Sequence, residues 1–461
     1  MDIDIPLILG SIIGFAIVIG VLVTVHEFGH FIAARLAGMR VEIFSIGMGK
    51  RLFGFNKING FTFGELPDDW DGGDHTDYRV AVLPIGGYVK VPGMIDESMD
   101  TEHVESEPKP WEFRAKGPWA KALFITAGVI LNWILAVGFF AFVAYTGGVE
   151  TIPTTGIGYV IPGTAAEDAG LRTGDKIISV DGNAVHTWDD LESGIFYDNV
   201  GHDKVVRLVR KGEERDITLL AGPLYSFLKH DKKITGVVNN LSHVFVAEVA
   251  SDRAKELGLL AGDTVVNINQ VPIFDYNQMI NYVSARPNEH VDISWKRGED
   301  VYSGRVQIGE AGQIGIKLGV DKSGIPREFT FGGALGYGWD KPIEIAAGFL
   351  STISAVITGK VSAGDTLGGP LEIAKQSGLR LLFGDLNSFL DFMASLSVVL
   401  ALINILPIPA LDGGHLVIII VEGVMRRELP TKIKIYIQYA GLIFVLGLMV
   451  LVVGLDISRW F

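Results

Sequence analysis

Apolar positions in this chain fall into long unbroken runs separated by ordinary mixed stretches. Four runs match the roughly 20 apolar residues that a helix needs to cross hydrocarbon. They cover residues 5–34, 120–145, 389–406 and 435–455. A fifth run, residues 343–357, is short and carries Glu344. It reads as an amphipathic helix lying on the membrane surface. Between Tyr78 and Val91 the pattern changes: β-branched and aromatic residues flank a Pro-Ile-Gly-Gly turn signal, which predicts a β-hairpin. The first run lacks the basic flank of a signal peptide and is too long for its apolar core.

Lys and Arg near the run ends set the orientation. They are absent before the first run. They cluster after it at Arg35, Arg40, Lys50 and Arg51, before the second at Arg114, Lys116 and Lys121, and between the third and fourth at Arg426, Arg427, Lys432 and Lys434. The N-terminus is then outside, residues 37–118 are cytoplasmic and residues 147–388 are outside; Lys375 and Arg380 run against the rule. The expected segments are a first span (1–36), a cytoplasmic loop with the hairpin (37–118), a second span (119–146), two outer domains (147–235 and 236–325), a surface-lying region (326–388), a third span (389–425) and a fourth span with the C-terminus (426–461).

The outer domains come from an internal repeat. The ten residues Ala166 to Asp175 return 88 positions later as Ala254 to Asp263, with A-x-x-x-G-L-x-x-G-D in both. The register continues through Ile178 and Val266, Asp181 and Asn269, Trp188 and Tyr276. A long period seen twice marks duplicated domains rather than a solenoid. The motif, followed by I-I-x-V-D-G, resembles bacterial-protease PDZ domains, which take peptides by strand addition. Packing modules that bind no peptide are the other reading of the same pattern.

Composition agrees with a membrane protein bearing soluble parts: 48% of residues are hydrophobic. The net charge of −14 and the lack of a basic patch with interleaved aromatics exclude a nucleic-acid partner. Much of the acidity sits in 68–77 and 96–107, read as solvated loops. The chain has no cysteine, so disulfides, thiolate metal sites and a Cys nucleophile are excluded.

The chemistry lies inside the first run, which holds no charge before His26. His26-Glu27-Phe28-Gly29-His30 is an H-E-x-x-H motif. On a helix the two imidazoles share a face and can hold one Zn²⁺, with the Glu as general base. Ionisable residues are expensive at this depth and mark function. A catalytic zinc takes three protein ligands. The third candidate is Asp412, in Asn404-Ile-Leu-Pro-Ile-Pro-Ala-Leu-Asp412-Gly-Gly, where two prolines break the third helix. Irregular backbone is tolerated there only if buried in protein or lining a cavity. His26 lies 21 residues past Ile5 and Asp412 lies 23 past Phe389, in helices running the same way, so both reach a similar depth. A crossing by 343–357 would put Asp412 on the far side. Asp412 as an N-cap, His415 as a rival ligand and Asn404 as a partner for backbone freed by the prolines stay open.

H-E-F-G-H, P-I-G-G-Y-V-K-V, the paired repeats, L-G-G-P-L-E-I-A and N-I-L-P-I-P-A-L-D-G-G together resemble the site-2 protease family over essentially the whole chain. The resemblance implies a zinc metalloendopeptidase with His26, His30 and Asp412 on the metal, Glu27 activating water and Asn404 handling substrate. The chain departs from related members at Val399, where they carry a second Asn. The implied fold is a multi-pass α-helical membrane protein with four transmembrane helices, two tandem PDZ-like α+β domains outside and a membrane-associated β-hairpin or sheet inside. The implied substrate is a single-span anti-sigma factor already trimmed on its periplasmic side, along with remnant signal peptides, cut in the inner membrane during an envelope stress response. The hairpin would hold the unwound substrate by strand addition through Val80, Val82, Tyr88, Val89 and Val91, and the outer pair would act as a size filter. A scaffold gathering partners and a metal transporter are the alternatives. Glu27 argues against the first, and a repeat lying outside the membrane against the second.

Overall fold

A computed structural model describes residues 5–67, 70, 72–94, 107–196, 198–221, 237–321, 324–362, 364 and 368–460. Most of the acidic stretch 96–107 lies outside the described residues, as do 68, 69 and 71. The chain divides into two compact units: Met1–Gly148 with Glu328–Ala346 and Leu367–Phe461, and Val149–Arg327 with Ala347–Thr366.

The first unit holds helices α1 (Ile5–Leu36), α2 (Pro118–Tyr145), α3 (Phe331–Ile357, which continues into the second unit), α4 (Pro370–Phe383), α5 (Leu386–Ile405), α6 (Asp412–Met425) and α7 (Thr431–Trp460), and strands β1 (Ile43–Asn56), β2 (Gly60–Phe63) and β3 (Asp77–Lys90). Among the described residues, four helices are long and apolar enough to cross a membrane: α1, α2, α5 and α7. These are the four expected runs. The apolar stretch 343–357 is the end of the longer α3. Its start packs through Tyr337 and Ile345 against Phe140 of α2 and Val398 of α5.

Residues 370–383, within the expected surface-lying region, form α4. α4 packs lengthwise on α1, where Gly10 meets Leu382 and Gly14 meets the backbone of Ser377 and Gly378. Gly14 lets the backbones approach and Gly10 makes room for the Leu382 side chain, the usual device where lipid supplies no hydrophobic drive. The buried Asp456 of α7 accepts the backbone N–H groups of Gly369, Leu371 and Glu372, capping α4.

The hairpin is a correction to the expected pairing. Phe44 of β1 pairs with Val89 at one end of β3 and with Tyr78 at the other. The two arms expected to pair with each other instead flank residues 43–46 of β1. Strand β1 turns at Gly47 and Gly49, both at φ 88, and its second half pairs again with β3 through Phe53 and Val80. The 78–80 arm is thereby paired on both edges, with residues 44–46 on one side and 53–55 on the other. Arg51, 3% exposed, pins the sheet by donating to both Asp77 oxygens and to the carbonyl of Gly64. Residues 87–90 are left on the outside, and among the described residues no further strand pairs with them.

The second unit contains the repeat, and the two copies share matching hydrogen bonds at the repeated motif. Arg210 donates to both oxygens of Asp175 and to the carbonyl of Gly170; Arg297 does the same to Asp263 and Gly258. Asp181 and Asn269, both at positive φ, each accept a backbone N–H from the neighbouring strand, from Val205 and Asp292. Each copy has its own core, one around Leu191 and Leu208, the other around Met279 and Ile293. Strand Val237–Asn239 pairs with Ile157–Val160, so the first copy reaches past the expected boundary at 235. Its core also takes Ala355 and Val361.

Candidate metal centre

The first unit brings His26, His30 and Asp412 together. Nε2 of His26 lies 3.1 Å from Oδ2 of Asp412, Nε2 of His30 lies 3.4 Å from it, and the two Nε2 atoms are 3.2 Å apart. Donor atoms of all three lie within 4.8 Å of one another, and among the described residues no other group of three His or carboxylate side chains converges this way. Oδ2 of Asp412 is buried without an aligned hydrogen-bond donor among the described residues. Two imidazole nitrogens and a carboxylate oxygen in need of a cation are the donor set of a catalytic zinc site, so the residues fit the metal.

Glycines set this geometry. A Cβ on Gly29 of α1 would lie 2.4 Å from the carbonyl oxygen of Ala127, and one on Gly128 of α2 would lie 2.6 Å from Nε2 of His30. The α1–α2 crossing therefore closes at a pair of glycines, and α2 forms a floor under both imidazoles. Nδ1 of His30 faces the Phe124 carbonyl at 2.8 Å, and Nδ1 of His26 faces the Asn132 amide at 3.3 Å. Such partners fix ring orientation and leave Nε2 to face a metal. Gly128 and Asn132 were missed from sequence. Their signal was a lone amide in an uncharged run, with a glycine one turn before it on the same face.

The position of Asp412, the candidate third ligand, follows from the broken helix. α5 ends at Ile405, and α6 starts at Asp412. Between them the chain turns through Ala410 at φ 73, a left-handed conformation rare for a residue with a Cβ. His415, the rival ligand, is engaged elsewhere: its Nε2 accepts from the Gln438 amide of α7 at 2.6 Å.

Glu27, half-buried, lines the same cavity of about 550 Å³ as the three ligand candidates. Asn404 lines it too, with Nδ2 3.5 Å from Nε2 of His26. Of the five strand residues expected to hold substrate, Tyr88 and Val89 line the cavity. The other three do not: Val91 is 2% exposed in the core with Ala34 and Phe124, Val82 is exposed, and Val80 lies on the inner half of β3. Gly86, Gly87 and Lys90 line it and were missed. A Cβ on Gly87 would sit 3.1 Å from Cγ of Glu27, so glycine lets this strand run against the acid.

Comparison with known proteins gives a family and full-length relatives. Peptidase family M50 matches residues 14–448. A Vibrio cholerae protein named "Putative zinc metalloprotease" is 30% identical over 98% of this chain and 99% of its own length. The regulator of sigma-E protease RseP of Salmonella typhimurium is 29% identical over the same shares. A PDZ domain of a Listeria monocytogenes SdrC-like protein is 26% identical over 16% of this chain and 85% of that domain, with a TM-score of 0.15. Since the family match runs from the first span to the fourth and so takes in both halves of the metal centre, the chain belongs to peptidase family M50, the site-2 proteases, and is a multi-pass membrane zinc metalloendopeptidase.

Proposed function

We propose that this enzyme cuts single-span membrane proteins within or beside their membrane helix, with zinc held by His26, His30 and Asp412 and Glu27 as the general base. The observation that carries the reading is one cavity lined by three converging ligand atoms, an acid and a strand edge. Bound zinc supplies Lewis acidity, which acidifies water and polarises a carbonyl. Glu27 accepts the proton of the attacking water and passes it to the leaving amine. Asn404, beside His26, orients the substrate backbone. A helical substrate hides its peptide bonds and must unwind, exposing N–H and C=O groups that are costly to leave unpaired in an apolar site. The outer edge of residues 86–90 meets that need by strand addition, and places the added strand alongside Glu27.

The Salmonella relative is named as a regulator of sigma-E. We assign this chain a role of the same class, the cutting of an anti-sigma-factor-like membrane protein in regulated proteolysis at a bacterial inner membrane. The strand edge and metal centre then lie toward the cytoplasm, and the repeat domains, which we read as PDZ-like, lie on the periplasmic side, where they reject substrates with intact outer domains. The test is zinc content plus cleavage of a membrane-embedded model peptide by the purified protein in detergent or bilayer. Stoichiometric zinc and a cut inside the membrane segment support the reading. Cleavage confined to soluble peptides overturns it.

A further inference from the structure

We propose that Gln438, on the fourth span, is a positioning residue that holds the loop carrying Asp412 in its left-handed turn. The proposal rests on Asp412 as a zinc ligand. α7 is the least buried of the four spanning helices, with 11% of its most apolar window inside the protein. Gln438, at 6% exposed, is one of its few buried residues, with Gly441 and Asp456. A buried amide in a spanning helix is costly unless both ends are paired. Both are: Oε1 accepts the backbone N–H of Ala410 at 2.8 Å, and the amide nitrogen donates to Nε2 of His415 at 2.6 Å. One side chain thus ties the residue two before Asp412 to the residue three after it.

Ala410 is where such a tie is needed. Its φ of 73 is a conformation that a Cβ makes unfavourable, and it persists only when the surroundings over-determine it. Two contacts from α7 do so. Gln438 takes the Ala410 N–H, and Gly441, one turn on, lets the helix backbone close on Pro409; a Cβ there would lie 2.1 Å from the Pro409 carbonyl oxygen. Without the Gln438 acceptor, Ala410 relaxes toward negative φ, and the first residues of α6 swing with it. Asp412 Oδ2 then leaves the point where both imidazole Nε2 atoms meet it.

The test uses full-length enzyme and reads zinc affinity by chelator competition alongside kcat and KM. Gln438→Met keeps the side-chain volume and removes both polar ends. It is expected to weaken zinc binding about tenfold or more, the usual range for losing a partner behind a metal ligand, and to lower kcat more than KM. Ala410→Gly alone should bind zinc like the wild type, because glycine takes positive φ without steric cost. The deciding variant is the double one: Ala410→Gly placed on Gln438→Met should recover most of the lost affinity. A packing role for Gln438 predicts no such rescue. Wild-type zinc affinity in Gln438→Met overturns the proposal, and so does a double variant no tighter than the single one. If Gln438→Met fails to fold, a folded, zinc-binding double variant supports the proposal and an unfolded one overturns it. A wild-type protein that never takes up zinc instead overturns the metal reading beneath it.

Discussion

The repeat aspartates of the second unit and Asp412 of the first do opposite work. Asp175 and Asp263 are each 1% exposed, and each is closed by its own Arg through paired hydrogen bonds. Their charge holds a turn to a strand, in the same way twice. Among the described residues, Asp412 has two imidazoles at 3.1 and 3.4 Å, no Arg or Lys in ion-pair reach, and a buried Oδ2 without an aligned donor. A carboxylate that the fold satisfies is structural; one satisfied only when a cation arrives is poised for chemistry. Removing the first kind should cost stability and spare turnover, and removing the second should do the reverse.

The sharpest break of that contrast is at Glu27. Glu27→Gln should abolish cleavage and keep both zinc and thermal stability, because the amide retains the shape but cannot take a proton. Measurable turnover by this variant, free of wild-type contamination, would falsify the general-base assignment. Next is the metal itself. Asp412→Asn should lower zinc content severely and take activity with it, with little change in the melting of the repeat domains. His415→Ala should cost much less, since that ring faces Gln438. Finding the metal lost in His415→Ala and kept in Asp412→Asn would reverse the ligand assignment.

A smaller effect belongs to the strand edge. Successive N–H groups of a strand point to opposite edges, so proline at one of Tyr88 and Val89 removes a donor from the free edge, worth about 1–1.5 kcal/mol, and should lower kcat/KM about tenfold with zinc unchanged. Substrates carrying helix breakers at the cut site should speed the wild type without rescuing these variants. Full activity in every folded proline variant means the substrate is held some other way.

The smallest effect on turnover is in the repeat. Asp263→Asn should destabilise the second copy by about 1–3 kcal/mol and leave cleavage of a short membrane peptide intact. Burial pushes the Asp263 carboxyl up, but hydrogen bonds from Arg297 and the Leu260 N–H outweigh it and hold the group below the usual carboxylate range. A lowered folded pKa means the contribution is present above the unfolded value, about 3.9, and fades as pH falls through the folded one. Melts of the wild type should therefore lose stability below about pH 4, and Asp263→Asn should flatten that part of the profile. Equal slopes would remove the ion pair from the account.

Much of this enzyme was legible in order along the chain. The four spans are runs of apolar residues, and hydrocarbon dictates their length. The repeat is copied sequence, and two copies of one sequence reproduce one set of hydrogen bonds. His26, Glu27 and His30 share a helical face because 3.6 residues make a turn. Even the approach of Asp412 to His26 follows from counting residues at 1.5 Å each in two parallel helices.

Tertiary structure decided what depends on a partner distant in sequence. The pattern of 78–91 announces two arms and a turn, yet backbone edges are satisfied by whichever strand arrives, and residues 43–46 arrive between them. The seat of helix α4 on α1 depends on Gly10 and Gly14, far from it in sequence. Gly128, Asn132 and Gln438 carry no motif in the chain. Their roles exist only because α2 crosses α1 at two glycines and α7 rests on the loop before Asp412. Local sequence fixes period and length through covalent geometry, whereas the packing and hydrogen-bond partners that build the site are chosen only when distant segments meet.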